Sequence, residues 1–359
     1  MDRIGIAIDS LAGGGAEKVM ITLAETLIKQ GHQVSLLVLY RHQTYEVASY
    51  IPIYFCFDDK PGLTILGRSG KQLQCVRQWL SDIEAEQGAF DLVLSNLDKS
   101  HSMFTRLQIK NLYCVVHNSI IQELKRQTLL GPIAYLQLRR AKRALHDQHV
   151  IAVSDGVADE IRRISWIKPK SVQRIYNPYN FEEVQSLALA SCSLPREDYI
   201  IHVGRVAKQK RHDILFQALK RMQRPMKLVL LCTNQAKALK IAKKYGVADQ
   251  LILPGFQQNP YPWIAHAKLL VLSSSYEGFG SVLVEAMSLN TPVVSTACEH
   301  GPNEILQEDL AKWLVTEGDI NALAQKMDEA LLEQPRVDHA SILQKIQADK
   351  IAQTYMQLI

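Results

Sequence analysis

Short apolar runs alternate along the chain with longer stretches in which apolar residues recur every three or four positions. In the first half the short runs are Ile4–Ile8, Gln33–Leu39, Ile51–Phe55, Leu92–Ser95, Leu112–His117 and Val150–Val153. In the second half they are Tyr199–Val203, Leu228–Cys232, Leu251–Leu253, Leu269–Ser273, Val293–Thr296 and Lys312–Val315. Several lack polar alternation, as strands covered on both faces do, and the helical stretches between them predict parallel sheets with crossover helices. The rhythm stops at Asn177-Pro-Tyr-Asn-Phe181, continues through small residues to Pro195 and restarts at Tyr199, which marks a linker. Over Ala340–Ile359, Ile342, Ile346 and Ile351 fall at helical spacing and predict a closing helix, packed on one domain or bridging both. No internal repeat interrupts the pattern. It predicts an α/β chain of two doubly wound domains facing each other.

A length of 359 residues exceeds what one core usually supports and agrees with two domains. Hydrophobic residues at 47% and charged ones at 21% exclude a disordered or fibrous chain. Six scattered cysteines form no Cys-x-x-Cys pair, so buried thiols in a reducing compartment are expected in place of a disulfide frame or zinc site. The chain opens directly into a strand and has no apolar run of membrane-spanning length, which predicts a cytoplasmic protein. The net charge of +5 leans toward anionic partners.

The loop Ser10-Leu-Ala-Gly-Gly-Gly-Ala-Glu17 joins the first strand to a helix, and its glycines let a ligand approach the backbone. A dinucleotide fingerprint fails here. Gly13 and Gly15 fit its first two positions, but Lys18 replaces the third glycine and Tyr40-Arg41 ends the second strand where an acid should hold a ribose. A plain tight turn is the rival. In the second half, Tyr199-Ile-Ile-His-Val-Gly-Arg-Val-Ala-Lys-Gln-Lys-Arg-His-Asp213 places Arg205 and Lys210 after a strand, at the carboxyl edge where open α/β sheets bind ligands. Both cations suit phosphate, although a solvated basic turn has the same composition.

The sharpest pattern is Ser274-Ser-Tyr-Glu-Gly-Phe-Gly-Ser-Val-Leu-Val-Glu285. A helix start near Gly280-Ser281 leaves Glu277 in the preceding loop and Glu285 just over a turn inside. Unsatisfied N–H groups at such a start attract an anion, and a carboxylate can accept two bonds from a vicinal diol. A phosphate flanked by hydroxyls describes a nucleotide sugar. Ser281 as a simple cap and Glu285 as a surface residue would be the bland alternative, but that needs no glycines on both sides of Phe279.

Glu277-Gly-Phe-Gly-x4-Glu285 resembles the two-glutamate signature of the family 4 retaining glycosyltransferases. Gly13-Gly-Gly-Ala-Glu17, His117, Gly204-Arg205, Lys210 and the closing helix follow in that family's order, so the resemblance spans the chain. Glu299-His-Gly-Pro-Asn-Glu-Ile-Leu306 further resembles a subgroup that builds bacterial surface and carrier-linked glycans. Arg211 stands where the family usually has glycine. The resemblance implies a GT-B fold of two Rossmann-like domains across a cleft: residues 1–178 binding the acceptor, 179–340 binding the nucleotide sugar, and 341–359 a helix crossing back to the N-terminal domain.

It also implies roles. Arg205 and Lys210 would hold the donor diphosphate with the N–H groups of the helix at Phe279-Gly280-Ser281, Glu285 would bind the ribose and Glu277 the transferred sugar. His117 would contact that sugar near the reaction centre, and Gly14 and Gly15 would line the cleft. No Asp-x-Asp motif is placed for a cation and no Ser-His triad is evident, so the expectation is metal-independent transfer from a UDP-sugar co-substrate without a cofactor. In the first domain Lys125, Arg126, Arg139, Arg140, Lys142 and Arg143 are candidates for a glycan or lipid-linked acceptor or an anionic membrane surface, with Leu138, Ala141 and Leu145 as the apolar stripe of their helix. A solvated helix face is the alternative. Lys71 and Arg77 form a second, weaker cluster. Rival functions are a nucleotide-sugar 2-epimerase, which needs no acceptor, and a non-catalytic nucleotide-sugar-binding subunit. Nucleic-acid binding is disfavoured because aromatics do not interleave the basic residues.

Overall fold

The computed structural model describes residues 1–12, 14–58 and 68–359, of Arg68 and Ser69 the backbone alone. They form two compact units: Met1–Tyr179 together with Ile346–Ile359, and Asn180–Lys345. The first unit holds seven strands, β1 (Arg3–Ile8), β2 (Gln33–Tyr40), β3 (Ile53–Phe57), β4 (Leu92–Asn96), β5 (Leu112–Val116), β6 (His149–Ala152) and β7 (Ser171–Arg174). The second holds β8 (Tyr199–Val203), β9 (Lys227–Leu231), β10 (Leu251–Ile252), β11 (Leu269–Leu272), β12 (Val293–Thr296) and β13 (Leu314–Val315).

All the pairings are parallel, in the orders β3-β2-β1-β4-β5-β6-β7 and β10-β9-β8-β11-β12-β13. The strand order reverses between β1 and β4 in one sheet and between β8 and β11 in the other. Such switch points open a crevice at the carboxyl ends of the strands. The strands are apolar along their length because helices cover both faces. Ile4, Ile6, Leu36, Leu94, Ile200, Leu230 and Leu270 are all buried, each stabilising the fold by about 1.5–3 kcal/mol. Their carboxyl ends turn polar while remaining buried, at Ser95, Asn96, Ser273, Ser274, Ser295 and Thr296.

Several expectations change. The polar strand β7, Ser-Val-Gln-Arg, has no apolar run to announce it and sits at a sheet edge, where one face meets solvent. The expected strand Lys312–Val315 shrinks to β13 after a 3-10 turn over Glu308–Trp313. The linker contains a helix, Phe181–Ala188, started by the Asn180 side chain accepting from Glu183 N. The closing helix is two helices, Ser341–Lys345 and Ala348–Met356. It breaks because Tyr179 pairs with the chain there: its N–H donates to the Ile346 carbonyl at 3.0 Å and its carbonyl accepts from Ala348 N at 3.0 Å. The second piece packs on the helix Gly15–Lys29, and Gln30 Nε2 donates to Asp349 Oδ1 at 3.2 Å. All six cysteines are free, and Cys75 and Cys192 are exposed, not buried.

Candidate active site

In the second unit, three adjacent strands deliver the candidate residues. The loop after β8 carries Gly204, Arg205 and Lys210, the loop after β11 carries Glu277 to Gly280, and the loop after β12 carries Glu299 to Gly301. A ladder of polar contacts joins them. Ser275 N donates to the Gln209 carbonyl (2.8 Å), Gln209 Nε2 to the Tyr276 carbonyl (2.8 Å) and Ser273 Oγ to the Lys210 carbonyl (2.8 Å). Thr296 Oγ1 donates to the Ser274 carbonyl at 2.6 Å, and Glu277 N to the Glu299 carbonyl at 3.1 Å. None of this lattice was legible in advance. Its signal is the run of small hydroxyl residues that ends buried strands.

Lys210 and Glu277 come together, Nζ to Oε1 at 2.8 Å, with side chains 18% and 10% exposed. The lysine stem crosses Gly204 so closely that an added Cβ would lie 3.2 Å from its Cε. Arg205 is exposed, and its side chain forms no ion pair or hydrogen bond among the described residues. The helix Ser281–Ser288 begins where expected, at Gly280 with φ 99°, and no side chain caps it. Phe279 is buried beneath the turn, whose approach to the next loop is so tight that a Cβ on Gly301 would collide with the Phe279 carbonyl oxygen. Glu285 sits one turn into the helix, half-buried, with Tyr261 Oη 3.4 Å from Oε1. The structure thus pairs Glu277 with Lys210, while Glu285 lies beside Tyr261.

Arg211 adopts the left-handed conformation, φ 48° and ψ 47°. That backbone explains why glycine suits this position. Here the arginine is held by Asp213 (Nη2 to Oδ2, 3.0 Å) and lies 3.7 Å from Glu317.

In the first unit the loops after β1, β4 and β5 meet around the other switch point. Gly14 precedes the helix Gly15–Lys29, with the Glu17 side chain folded against it, and Gly15 is exposed with open space where a Cβ would stand. Gly13 lies outside the described residues. His117 follows β5, and its Nε2 lies 2.8 Å from Asn96 Oδ1. Burial, with His101 and Lys142 nearby, pushes its pKa down to about 3. Asp9, at the end of β1, accepts from Ser100 N (2.7 Å) and Oγ (2.9 Å), and burial raises its pKa to about 6.

Of the six basic candidates for an acceptor or membrane, Lys125, Arg126, Arg139, Arg140 and Arg143 are exposed. Lys142 is not available. It is buried, with Nζ 2.9 Å from Asp98 Oδ1 and 2.6 Å from Glu123 Oε2, and these carboxylates raise its pKa despite the desolvation that opposes them. An isolated lysine in a basic run reads as solvated, and only the fold shows that Asp98 and Glu123 converge on it.

A family model described as Glycosyltransferase Family 4 matches residues 13–183, and one described as Glycosyl transferases group 1 matches residues 193–345. The chain belongs to glycosyltransferase family 4. It is 26% identical, over 95% of its length and 93% of the relative's, to the N-acetylgalactosamine-N,N'-diacetylbacillosaminyl-diphospho-undecaprenol 4-alpha-N-acetylgalactosaminyltransferase of Campylobacter jejuni. Among solved structures it resembles sucrose-phosphate synthase from Thermosynechococcus elongatus, with TM-score 0.77 and 18% identity over 100% of this chain and 98% of that one. It also resembles Anabaena HepE in complex with UDP and glucose, with TM-score 0.73 and 18% identity over 99% of both chains. The two sheets of this family 4 glycosyltransferase are those of the GT-B fold. No helix among its described residues is long and apolar enough to cross a membrane.

Proposed function

We propose that this glycosyltransferase moves a hexose or N-acetylhexosamine, with retention, from a UDP-sugar to a lipid-linked or glycan acceptor in bacterial surface-glycan assembly. The observation that carries the proposal is the Lys210–Glu277 pair beside a helix start without a side-chain cap, at the switch point of the second unit. Arg205, whose guanidinium has no partner in the described residues, and Lys210 neutralise the diphosphate, and the helix start adds N–H dipoles. Glu285 takes the ribose and Glu277 takes the sugar, and in the first unit His117 is the candidate partner for a sugar hydroxyl. Gly15 has no packing reason to be glycine, which supports a ligand passing over Gly14-Gly15. The acceptor oxygen bonds to the anomeric carbon as the carbon–oxygen bond to UDP breaks, and the acceptor proton passes to the departing phosphate. Charge on UDP is met by protein cations without a metal ion.

The test is incubation with labelled UDP-GalNAc, UDP-GlcNAc, UDP-Gal and UDP-Glc, with and without polyprenyl-diphosphate-linked glycan and with and without EDTA. Label appearing in the lipid-linked product supports transfer, and unchanged rates in EDTA support the metal-free route. A new sugar nucleotide formed without acceptor would indicate the epimerase reading, and binding without turnover the non-catalytic one.

The same chain is proposed to work at the inner membrane surface through the hairpin of helices Ile120–Thr128 and Pro132–Lys142. Its tip exposes Leu129 (69%), Leu130 (71%) and Ile133 (72%), followed by Leu136 (58%). At about 100° per residue, Ile133, Leu136, Arg139, Arg140 and Arg143 share one helix face. The stripe read from sequence, Leu138, Ala141 and Leu145, turns inward instead, with Leu145 fully buried. Leucines flanked by arginines fit an anionic bilayer. Leu129→Ser/Leu130→Ser/Ile133→Ser should abolish sedimentation with phosphatidylglycerol vesicles at low salt. Equal sedimentation of this variant and the parent would remove the hairpin from that role.

A further inference from the structure

At the end of β4, Asn96 is fully buried, and its amide is committed on one side. Nδ2 donates to the main-chain carbonyls of Ala7 (3.1 Å) and Leu94 (3.0 Å). A carbonyl can only accept, so the nitrogen end must face them and Oδ1 must face His117. The oxygen in turn can only accept, so the proton on the His117 ring sits on Nε2. Nδ1 makes no hydrogen bond among the described residues.

We propose that Asn96 is a positioning residue that fixes His117 in the Nε2–H tautomer, presenting Nδ1 as a bare acceptor for a sugar hydroxyl. Its consequence for catalysis rests on the transferase function proposed above. A hydroxyl that donates its proton to Nδ1 keeps more electron density on its oxygen. That density favours the positive charge that grows on the sugar ring as the glycosidic bond breaks. A protonated ring would do the reverse, donating a bond and adding a like charge.

The surroundings keep the ring uncharged. Burial disfavours the charged ring, and the Lys142 ammonium lies close enough to oppose protonation. His101 is itself neutral, its Nδ1 3.0 Å from Ser95 Oγ and its pKa lowered to about 4 by burial. The carboxylates of Asp98 and Glu123 are taken up by Lys142, and that of Asp9 by Ser100. The backbone is forced at the same place. Leu97, directly after Asn96, has φ 69° and ψ 162°, a region otherwise reserved for glycine and worth about 1–3 kcal/mol of strain. That strain sits where Asn96 is turned toward His117.

The experiment is long-range proton–nitrogen NMR on the full chain labelled at histidine nitrogens, with His117 assigned by its loss in His117→Gln. A pyrrole-like Nε2 and a pyridine-like Nδ1, unchanged between pH 8 and pH 5.5, are expected. A proton on Nδ1, or titration near the ordinary histidine value, would overturn the proposal without any activity measurement. In Asn96→Asp the carboxylate should raise the His117 pKa into the measurable range. Transfer should then fall about tenfold for each pH unit below that value, and return above it. A titrating ring with an unchanged rate would overturn the catalytic consequence while leaving the tautomer in place. Full activity in His117→Ala would instead remove His117 from the proposed reaction.

Discussion

Lys210 and Glu277, 67 residues apart in the chain, share a hydrogen-bonded ion pair at 2.8 Å that bridges the loops after β8 and β11. Removing either partner leaves the other charge desolvated, so the two losses should not add. Urea titrations of Lys210→Met, Glu277→Gln and the double variant should show a double loss smaller than the sum by about 0.5–3 kcal/mol. Strict additivity would show that the pair does not act as a unit.

Arg205 provides the contrast. Its side chain is exposed and engages nothing in the described residues, so Arg205→Ala should leave the urea midpoint unchanged while turnover falls by roughly 10²-fold or more. Loss of stability with intact turnover would assign it a structural role instead.

Gly301 has φ 72° and no room for a Cβ beneath the Phe279 carbonyl. Gly301→Ala must push the loops after β11 and β12 apart. A destabilisation of about 1–3 kcal/mol is expected, the range for overpacking, together with weaker UDP binding by calorimetry. Unchanged values for both would show that the loops separate freely.

Lys142→Met should destabilise the first unit by about 3–5 kcal/mol, because Asp98 and Glu123 are left facing each other's charge in a largely buried place. Vesicle binding of the folded fraction should be unaffected, since Lys142 faces inward. A drop in vesicle binding at unchanged stability would return this residue to the basic surface.

Four histidines with depressed pKa values make the protein acid-sensitive. His101 and His212 are lowered to about 4 and His117 to about 3, and His202 lies well below the ordinary value; burial is the main cause in each. Their unfolded forms take up protons below about 6.5, so the unfolded chain gains protons as pH falls and stability drops. Asp9, raised to about 6, works oppositely between its unfolded value and that pH. Four histidines against one aspartate leave about three protons, or roughly 4 kcal/mol per pH unit near pH 5. Urea midpoints at pH 7.5, 6 and 5 measure this, and Asp9→Asn should steepen the fall. A flat profile would mean that the rings are solvated.

Much of the architecture was legible because both sheets are covered on two faces, and an uninterrupted run such as Leu269–Leu272 announces itself by composition. The strand β7 was not, because a half-solvated edge strand needs few apolar residues. The break in the closing helix was hidden because it depends on Tyr179, distant in sequence, inserting its backbone between Ile346 and Ala348. At the candidate site, glycines and carboxylates around Phe279 were readable from spacing alone. Asn96 and Lys142 were not, since each matters through partners that only the folded sheet brings near: Ala7 and His117 for one, Asp98 and Glu123 for the other.

The return of residues 346–359 to the first unit has a consequence for how the protein is made. On the ribosome, the helix Gly15–Lys29 emerges early, yet the segment Ala348–Met356 that shields it is translated only after all of Asn180–Lys345. The first unit therefore stays incomplete until the second has been synthesised. Until then the greasy stripe of Gly15–Lys29 that the closing segment covers lacks its cover.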